Sequence, residues 1–323
     1  MILTVTLNPA IDVTYRLPRL TVGEVHRVAE VTSRLGGKGV NVARVLHQLG
    51  EPAHAVGLAD DDFGEALGRE LPATFLPELD EVRRTVVVVA ESTTSLWEPG
   101  RHAAPGADQR LLDLLADRIA DATALTVSGS LAPGVPTDLP ARIARLAAAA
   151  GVPVLLDLDD AALAAAVGTG AVLTPNEEEA ARLLGGTPDD PVVAVTELAV
   201  RNGGPVVLTR GHHGLVAYAD GVCWEASAPA GVSGNPTGAG DAAAAGLARG
   251  IARGRPWPET LRDAAALGAA AVVAPVAGEI DPDAYASFLD GVSVRRLDHS
   301  LDHSLDHSSV QRNPPPASRP KEI

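Results

Sequence analysis

Residues 234–250 read GNPTGAGDAAAAGLARG and set one carboxylate, Asp241, between helix-breaking residues and a run of four alanines. Gly238, Ala239 and Gly240 at a helix start offer successive N–H groups to one spot, backed by the helix dipole. This makes an anion hole of phosphate size, and only small residues let an anion come so close. A carboxylate beside bound phosphate repels it in the ground state. Its chemical use is to accept the proton of a hydroxyl that attacks phosphorus. The structural alternative is an acid in a first helical turn, where the dipole favours it.

A second glycine-rich stretch, GGKGVNVARVL (36–46), leaves the backbone open to a ligand at Gly36, Gly37 and Gly39. Lys38 and Asn41 add a cation and an amide at a helix start, suited to sugar hydroxyls or a phosphate. Asp12 could accept two hydrogen bonds from a diol, or stand as a solvated turn acid. In TPNEEEA (174–180), Asn176 and Glu179 fall at a strand end and in a first helical turn. The carboxylate could order Mg²⁺ and its waters, or simply favour the helix start. TRGHHG (209–214) follows a buried strand and could touch a nucleotide; a tight hairpin accounts for it equally.

Other glycine-loop chemistries fit less well. Gly238-x-Gly240-x-x-Ala243 matches the dinucleotide fingerprint by letter but follows SAPAGVSGNPT rather than a buried strand. No strand-ending acid lies about 20 residues on, since Glu259 falls in a helical pattern. Gly36-Gly37-Lys38-Gly39 lacks the Ser/Thr and the spacing of a Walker A loop.

The elements that must carry these residues alternate. Short β-branched runs at 2–7, 53–59, 124–129, 152–158, 171–176 and 205–210 predict strands. Periodic Ala/Leu-rich stretches at 38–49, 62–70, 107–120, 138–150, 177–184 and 190–202 predict helices, with two more at about 240–253 and 258–274. Such alternation implies an α/β fold, with a mostly parallel sheet covered by helices on both faces. Two stretches, 10–32 and 83–97, read as hairpin-forming strands without crossover helices. They predict a small second sheet acting as a lid over the strand ends, or extra edge strands of the main sheet.

With 323 residues and 46% hydrophobic composition, the chain can bury a large core, which three each of Phe, Trp and Tyr leave mostly aliphatic. A net charge of −15 argues against nucleic acid or an anionic membrane as partner. Any anionic ligand must therefore be held by local donors. Cys223 is the single cysteine, so no intramolecular disulfide can form. No apolar run is long enough to span a membrane, and the N-terminal MILTVTLNPAID reads as a first strand, so a cytoplasmic location is expected. The domain is expected to cover 1–292. Residues 293–323, with the repeat LDHSLDHSLDHS, predict a disordered low-complexity tail, in which His299, His303 and His307 could hold a metal if helical.

Taken together, LNPAID, GGKGVNVARVL, GSLAPGVP (129–136), PNEEEA, TRGHHG, WEPG and NPTGAGDA stand in the order found in one family. The chain closely resembles the PfkB (ribokinase-like) carbohydrate kinases over about residues 1–292, and within them the 1-phosphofructokinase and tagatose-6-phosphate kinase branch. The resemblance implies a ribokinase-like fold and a Mg²⁺- and ATP-dependent kinase of a ketohexose monophosphate. It implies Asp241 as catalytic base and Gly238, Ala239 and Gly240 as the anion hole. Asp12, Gly37, Lys38 and Asn41 match sugar contacts, and Arg84 matches the arginine that grips the acceptor's phosphate. Asn176 and Glu179 match a motif that positions Mg²⁺ and phosphate. Thr209, Gly211 and Gly214 match a nucleotide-binding turn. A homodimer through the lid is implied as well. Two departures touch the acceptor side: Trp97 and Arg101 replace an asparagine and a proline usual in the branch. A kinase of an unphosphorylated sugar or nucleoside and a non-catalytic sugar-phosphate sensor are the competing readings.

Overall fold

The computed structural model describes residues 1–188 and 190–297. β1 (Ile2–Thr6) is buried along its whole length, and its alternation feeds two cores at once. Leu3 and Val5 face one hydrophobic layer and Ile2 the other. The chain then leaves the main sheet for β2 (Ala10–Arg16) and β3 (Glu30–Gly36), and returns through α1 (Lys38–Gln48), β4 (Ala53–Ala59), α2 (Asp61–Glu70) and β5 (Ala73–Pro77). A second excursion makes β6 (Arg83–Val89) and β7 (Thr93–Trp97). Next come α3 (Ala107–Arg118), β8 (Ala124–Gly129), α4 (Leu139–Ala149), β9 (Val154–Leu158), α5 (Asp160–Ala166) and β10 (Val172–Leu173). α6 (Glu177–Leu184) and α7 (Pro191–Asn202) precede β11 (Val206–Thr209), β12 (Leu215–Ala219) and β13 (Val222–Ala226). α8 (Ala239–Ala252), α9 (Trp257–Val273), α10 (Pro282–Gly291) and β14 (Val294–Leu297) close the described chain.

The main sheet has ten strands in the order β14-β13-β12-β11-β10-β9-β8-β1-β4-β5. From β5 to β11 the pairs are parallel, and β12, β13 and β14 extend it antiparallel. Helices cover both faces: α1, α8 and α9 supply one core layer and α3, α4 and α7 the other. The small sheet, ordered β3-β2-β6-β7, is the lid anticipated at 10–32 and 83–97. Its strands do not join the main sheet, and residues 17–29 are a connection rather than strand.

Three features correct the sequence reading. The strand expected over 171–176 shrinks to Val172 and Leu173, with one isolated bridge from Asn176 to Thr209, because Pro175 and the start of α6 interrupt it. β5, α5, the β12–β13 hairpin, α10 and β14 were not anticipated. Part of the segment expected as tail from 293 is a strand, since Val294–Leu297 pairs along β13 from Ala226 to Cys223. The LDHS repeat beyond its first residue, Leu297, and its three histidines lie outside the described residues. No helix among the described residues is long and apolar enough to cross a membrane.

Candidate active site

The start of α8 is built by the loop before it. Asn235 donates its N–H to Val272 O at 2.8 Å, and its Oδ1 accepts from Thr237 N at 3.1 Å. Gly238 then takes φ 88°, where a Cβ would also come 3.0 Å from Ala277 Cα. Only glycine serves there. One expectation for the anion hole is corrected: Ala239 N–H is spent on Pro236 O at 3.1 Å. The N–H groups of Gly238, Gly240 and Asp241 have no acceptor among the described residues, as first-turn amides lack intrahelical partners. A Cβ on Gly240 would meet nothing within 4 Å, so the space in front of it is open.

Asp241 is 7% exposed and accepts a 2.9 Å hydrogen bond from Asn41 Nδ2. Burial pushes its pKa up to about 7, helped by the charges of Asp157 and Asp12 and opposed by Lys38 and the Asn41 bond. A carboxylate poised there can take a proton near neutral pH and is basic enough to be useful. Asp12, on β2, accepts from Thr85 Oγ1 at 2.5 Å and from Asn41 Nδ2 at 3.4 Å, and burial raises its pKa too.

Gly37 caps the start of α1 and lines the same cleft. Lys38 follows, and its stem runs past Gly129 at the end of β8. Its ammonium pairs with Asp159 at 3.0 Å and Asp157 at 3.8 Å, both at the C-terminal end of β9. Chiefly through Asp157, these acids hold Lys38 protonated well above its ordinary range, against the opposing effect of burial. The lysine is thus a bridge between an acidic strand end and Asp241 rather than a free cation.

The assignment of Arg84 is overturned by strand register. β6 lies parallel to β2 with Asp12 beside Thr85 and Ile11 beside Arg84. Alternation therefore turns Arg83, Thr85 and Val87 toward the cleft and Arg84 to the opposite face. Arg84 is exposed, its backbone N–H donates to the Glu98 carboxylate at 2.8 Å, its carbonyl accepts from Glu98 N at 3.1 Å, and its guanidinium has no partner among the described residues. Arg83 lines the cleft of about 620 Å³ that also holds Asp12, Lys38, Asn41 and Asp241. Its guanidinium donates to Glu98 O at 3.2 Å, Ser130 Oγ at 3.4 Å and Asn8 O at 3.5 Å. Its Nε is buried without a partner, and no carboxylate among the described residues lies within ion-pair distance of it. Arg34, the other cleft arginine, pairs with Glu279 at 2.7 Å. Trp97 stands opposite Thr85 on the cleft face of β7, 67% exposed. Arg101 points away and pairs with Glu81 at 2.8 Å.

The remaining expected residues sit at neighbouring strand ends, outside this cleft. Asn176 and Glu179 form a reciprocal cap of α6: Asn176 Oδ1 accepts from Glu179 N at 2.9 Å, and Glu179 Oε2 from Asn176 N at 2.8 Å. Glu179 is buried, which raises its pKa, and it senses Lys38, Asp157 and Asp159. Among the described residues no three His, Cys, Asp or Glu are grouped to hold a metal ion. Glu179, a single carboxylate with one oxygen engaged in the cap, suits a Mg²⁺ reached through water. Thr209 N donates to Pro175 O at 2.9 Å, which ties β11 to that cap. Gly211 and Gly214 shape the following turn at φ 51° and 85°. A Cβ on Gly214 would fall 2.1 Å from Ala226 O, so packing alone demands glycine there.

Sequence reasoning missed Arg83, Asp157 and Asp159. Alternation along β6 carries the signal for Arg83, and two acids closing a buried strand, LLDLD, carry it for the others.

A family model described as pfkB family carbohydrate kinase matches residues 5–284. Among solved structures, phosphofructokinase-2 from Escherichia coli in complex with substrates and products superposes with a TM-score of 0.80 at 24% identity, over 90% of this chain and 98% of that one. A possible 1-phosphofructokinase from Thermotoga maritima gives 0.82 at 22% identity, over 92% and 99%. Ribokinase from Arabidopsis thaliana complexed with ribose and ATP gives 0.67 at 23%, over 89% and 98%. At these identities the likeness speaks for the fold.

Proposed function

The chain belongs to the pfkB family of carbohydrate kinases, and from that premise we propose that it transfers the γ-phosphate of ATP to a primary hydroxyl of a ketohexose monophosphate, fructose 1-phosphate first. Tagatose 6-phosphate is the nearest alternative acceptor. The observation that carries this reading is Arg83, a guanidinium without a carboxylate partner, in the same cleft as Asp241. In a protein of charge −15, a cation left unpaired beside an open cleft suits an anionic acceptor.

In this mechanism the acceptor's hydroxyls lie against Asp12, Gly37, Lys38 and Asn41. Asp241 takes the proton of the reacting hydroxyl as its oxygen bonds to the γ-phosphorus. The bond from that phosphorus to the β,γ-bridging oxygen breaks in line, and ADP leaves. The amides of Gly238 and Gly240 face the equatorial oxygens and stabilise their charge. Mg²⁺, when bound with the nucleotide, offsets phosphate charge. Glu179 and Asn176 would hold it through water, and Thr209, Gly211 and Gly214 would border the nucleotide. The lid excludes water that would otherwise hydrolyse the γ-phosphate. Its outer surface exposes Val31 and Leu96, which supports a homodimer through the lid. The cytoplasm is the proposed compartment.

Trp97 favours one competing reading, an unphosphorylated sugar or nucleoside, because an indole on the cleft face can cover a ring. A coupled ADP-release assay across free and phosphorylated hexoses and nucleosides separates them, with Asp241→Asn as control. Turnover of a phosphohexose, lost in the control, is the expected result. Preference for an unphosphorylated acceptor refutes the assignment to phosphosugars, and a fully active control refutes the role of Asp241.

A further inference from the structure

We propose that Asn41 is the positioning residue of Asp241: one side-chain amide fixes the carboxylate that takes the proton and ties it to the acid facing the acceptor's hydroxyls. The inference rests on the kinase reading above. Asn41 lies in the first turn of α1 and is 4% exposed. Its Nδ2 stands 2.9 Å from Asp241 Oδ2 and 3.4 Å from Asp12 Oδ2. Ionised carboxylates only accept, so the amide must turn its NH₂ to both; the reverse flip would press its carbonyl oxygen against two acids. That carbonyl Oδ1 is buried without a hydrogen-bond partner. An asparagine kept for packing alone would have its acceptor satisfied. Here the acceptor is left unpaired, and both donors reach carboxylates.

The charged groups facing Asp241 are Lys38 from α1, Asp157 from the end of β9 and Asp12 from β2. Two of the three are acids that oppose ionisation. Lys38 is also shared with Asp157 and Asp159. Among the described residues the amide of Asn41 is the one neutral donor on the side chain of the base, and a hydrogen bond to the charged form favours that form. Gly278 makes room for it: a Cβ there would lie 2.7 Å from Asn41 Oδ1.

The test is the pH dependence of kcat at saturating ATP and acceptor, using whichever acceptor the wild-type protein turns over. Asn41→Leu removes both donors. Asn41→Ala removes them without adding bulk, so it carries the test if Asn41→Leu fails to fold by circular dichroism. Both are expected to move the acid limb of kcat upward by about one pH unit, giving a loss of about fivefold at neutral pH that is recovered in alkali. A loss of equal factor at every pH, or a rise in acceptor KM with the limb unmoved, would overturn the proposal. Asp241→Asn run beside them separates the two failures. If it keeps the wild-type turnover and limb, the base assignment falls; if it is inactive and the limb of Asn41→Leu is unmoved, only the role of Asn41 falls.

Discussion

Replacing Arg83 by alanine should weaken recognition of a phosphorylated acceptor and little else. The size of the effect follows from what the guanidinium does now. Its three contacts, at 3.2, 3.4 and 3.5 Å, are long and go to neutral oxygens, and its buried Nε bonds to nothing. Exchanging them for phosphate oxygens gives up little. A charge-assisted hydrogen bond contributes about 1.5–3 kcal/mol, and 1.4 kcal/mol is about tenfold in affinity. KM for the phosphosugar should therefore rise by about one to two orders of magnitude in Arg83→Ala, with KM for ATP nearly unchanged. Arg83→Lys should fall between, since it keeps the charge but loses the planar fork. The matched control is Arg84→Ala, an exposed position on the other face of the lid, where the change should stay within about 0.5 kcal/mol, or roughly twofold. Initial-rate kinetics with the phosphorylated and free sugar decide it. Unchanged phosphosugar kinetics in Arg83→Ala, or a larger effect from Arg84→Ala, would show that strand alternation has been read the wrong way round.

Because burial raises the pKa of Asp241 from 3.8 to about 7, the native state holds a proton through that window that the unfolded chain has released. Its burial thus costs stability progressively as pH rises through the window, and the full cost is present above about pH 7. Asp241→Asn should accordingly melt above wild type at alkaline pH, with the gap closing toward pH 4 on calorimetry; a gap that does not depend on pH would contradict the shifted carboxyl. Gly214→Ala should lose about 2–4 kcal/mol in urea titration, from left-handed strain and a clash with Ala226 O; near-wild-type stability would leave a ligand as the reason for the glycine. Truncation after Val292 should melt below truncation after Leu297, because it strips β14 from β13; equal melting temperatures would mean that the strand contributes nothing.

Much of the frame could be read from short-range pattern. The buried runs at 53–59 and 124–129 and the helix at 177–184 fall where β-branched runs, turn residues and a capping asparagine place them. Asp220-Gly221, with φ 53° and 77°, is the turn of the β12–β13 hairpin, and an Asp-Gly pair between alternating residues is a readable hairpin signal. The seven residues of α5 are too few and too rich in alanine to show a period. What local pattern does not hold is which distant groups meet. Lys38 finds Asp159 from 121 positions away, and Asn41 finds Asp241 from 200. The pair Arg83-Arg84 shows the limit best. The motif points to an arginine at the start of that strand, but the pairing of β6 with β2 decides which of two neighbours enters the cleft.

The exposed indole on the lid gives this protein an optical handle. The chain has three tryptophans. Trp224 and Trp257 are partly buried against the aliphatic layer under α8 and α9, while Trp97 meets solvent over the cleft. With Trp224 and Trp257 changed to phenylalanine, Trp97 becomes the single emitter, and a sugar that displaces water from its ring shifts its fluorescence toward the blue. Acceptor affinity can then be titrated in the Asp241→Asn protein without turnover, and stopped-flow traces of the same signal time the movement of the lid.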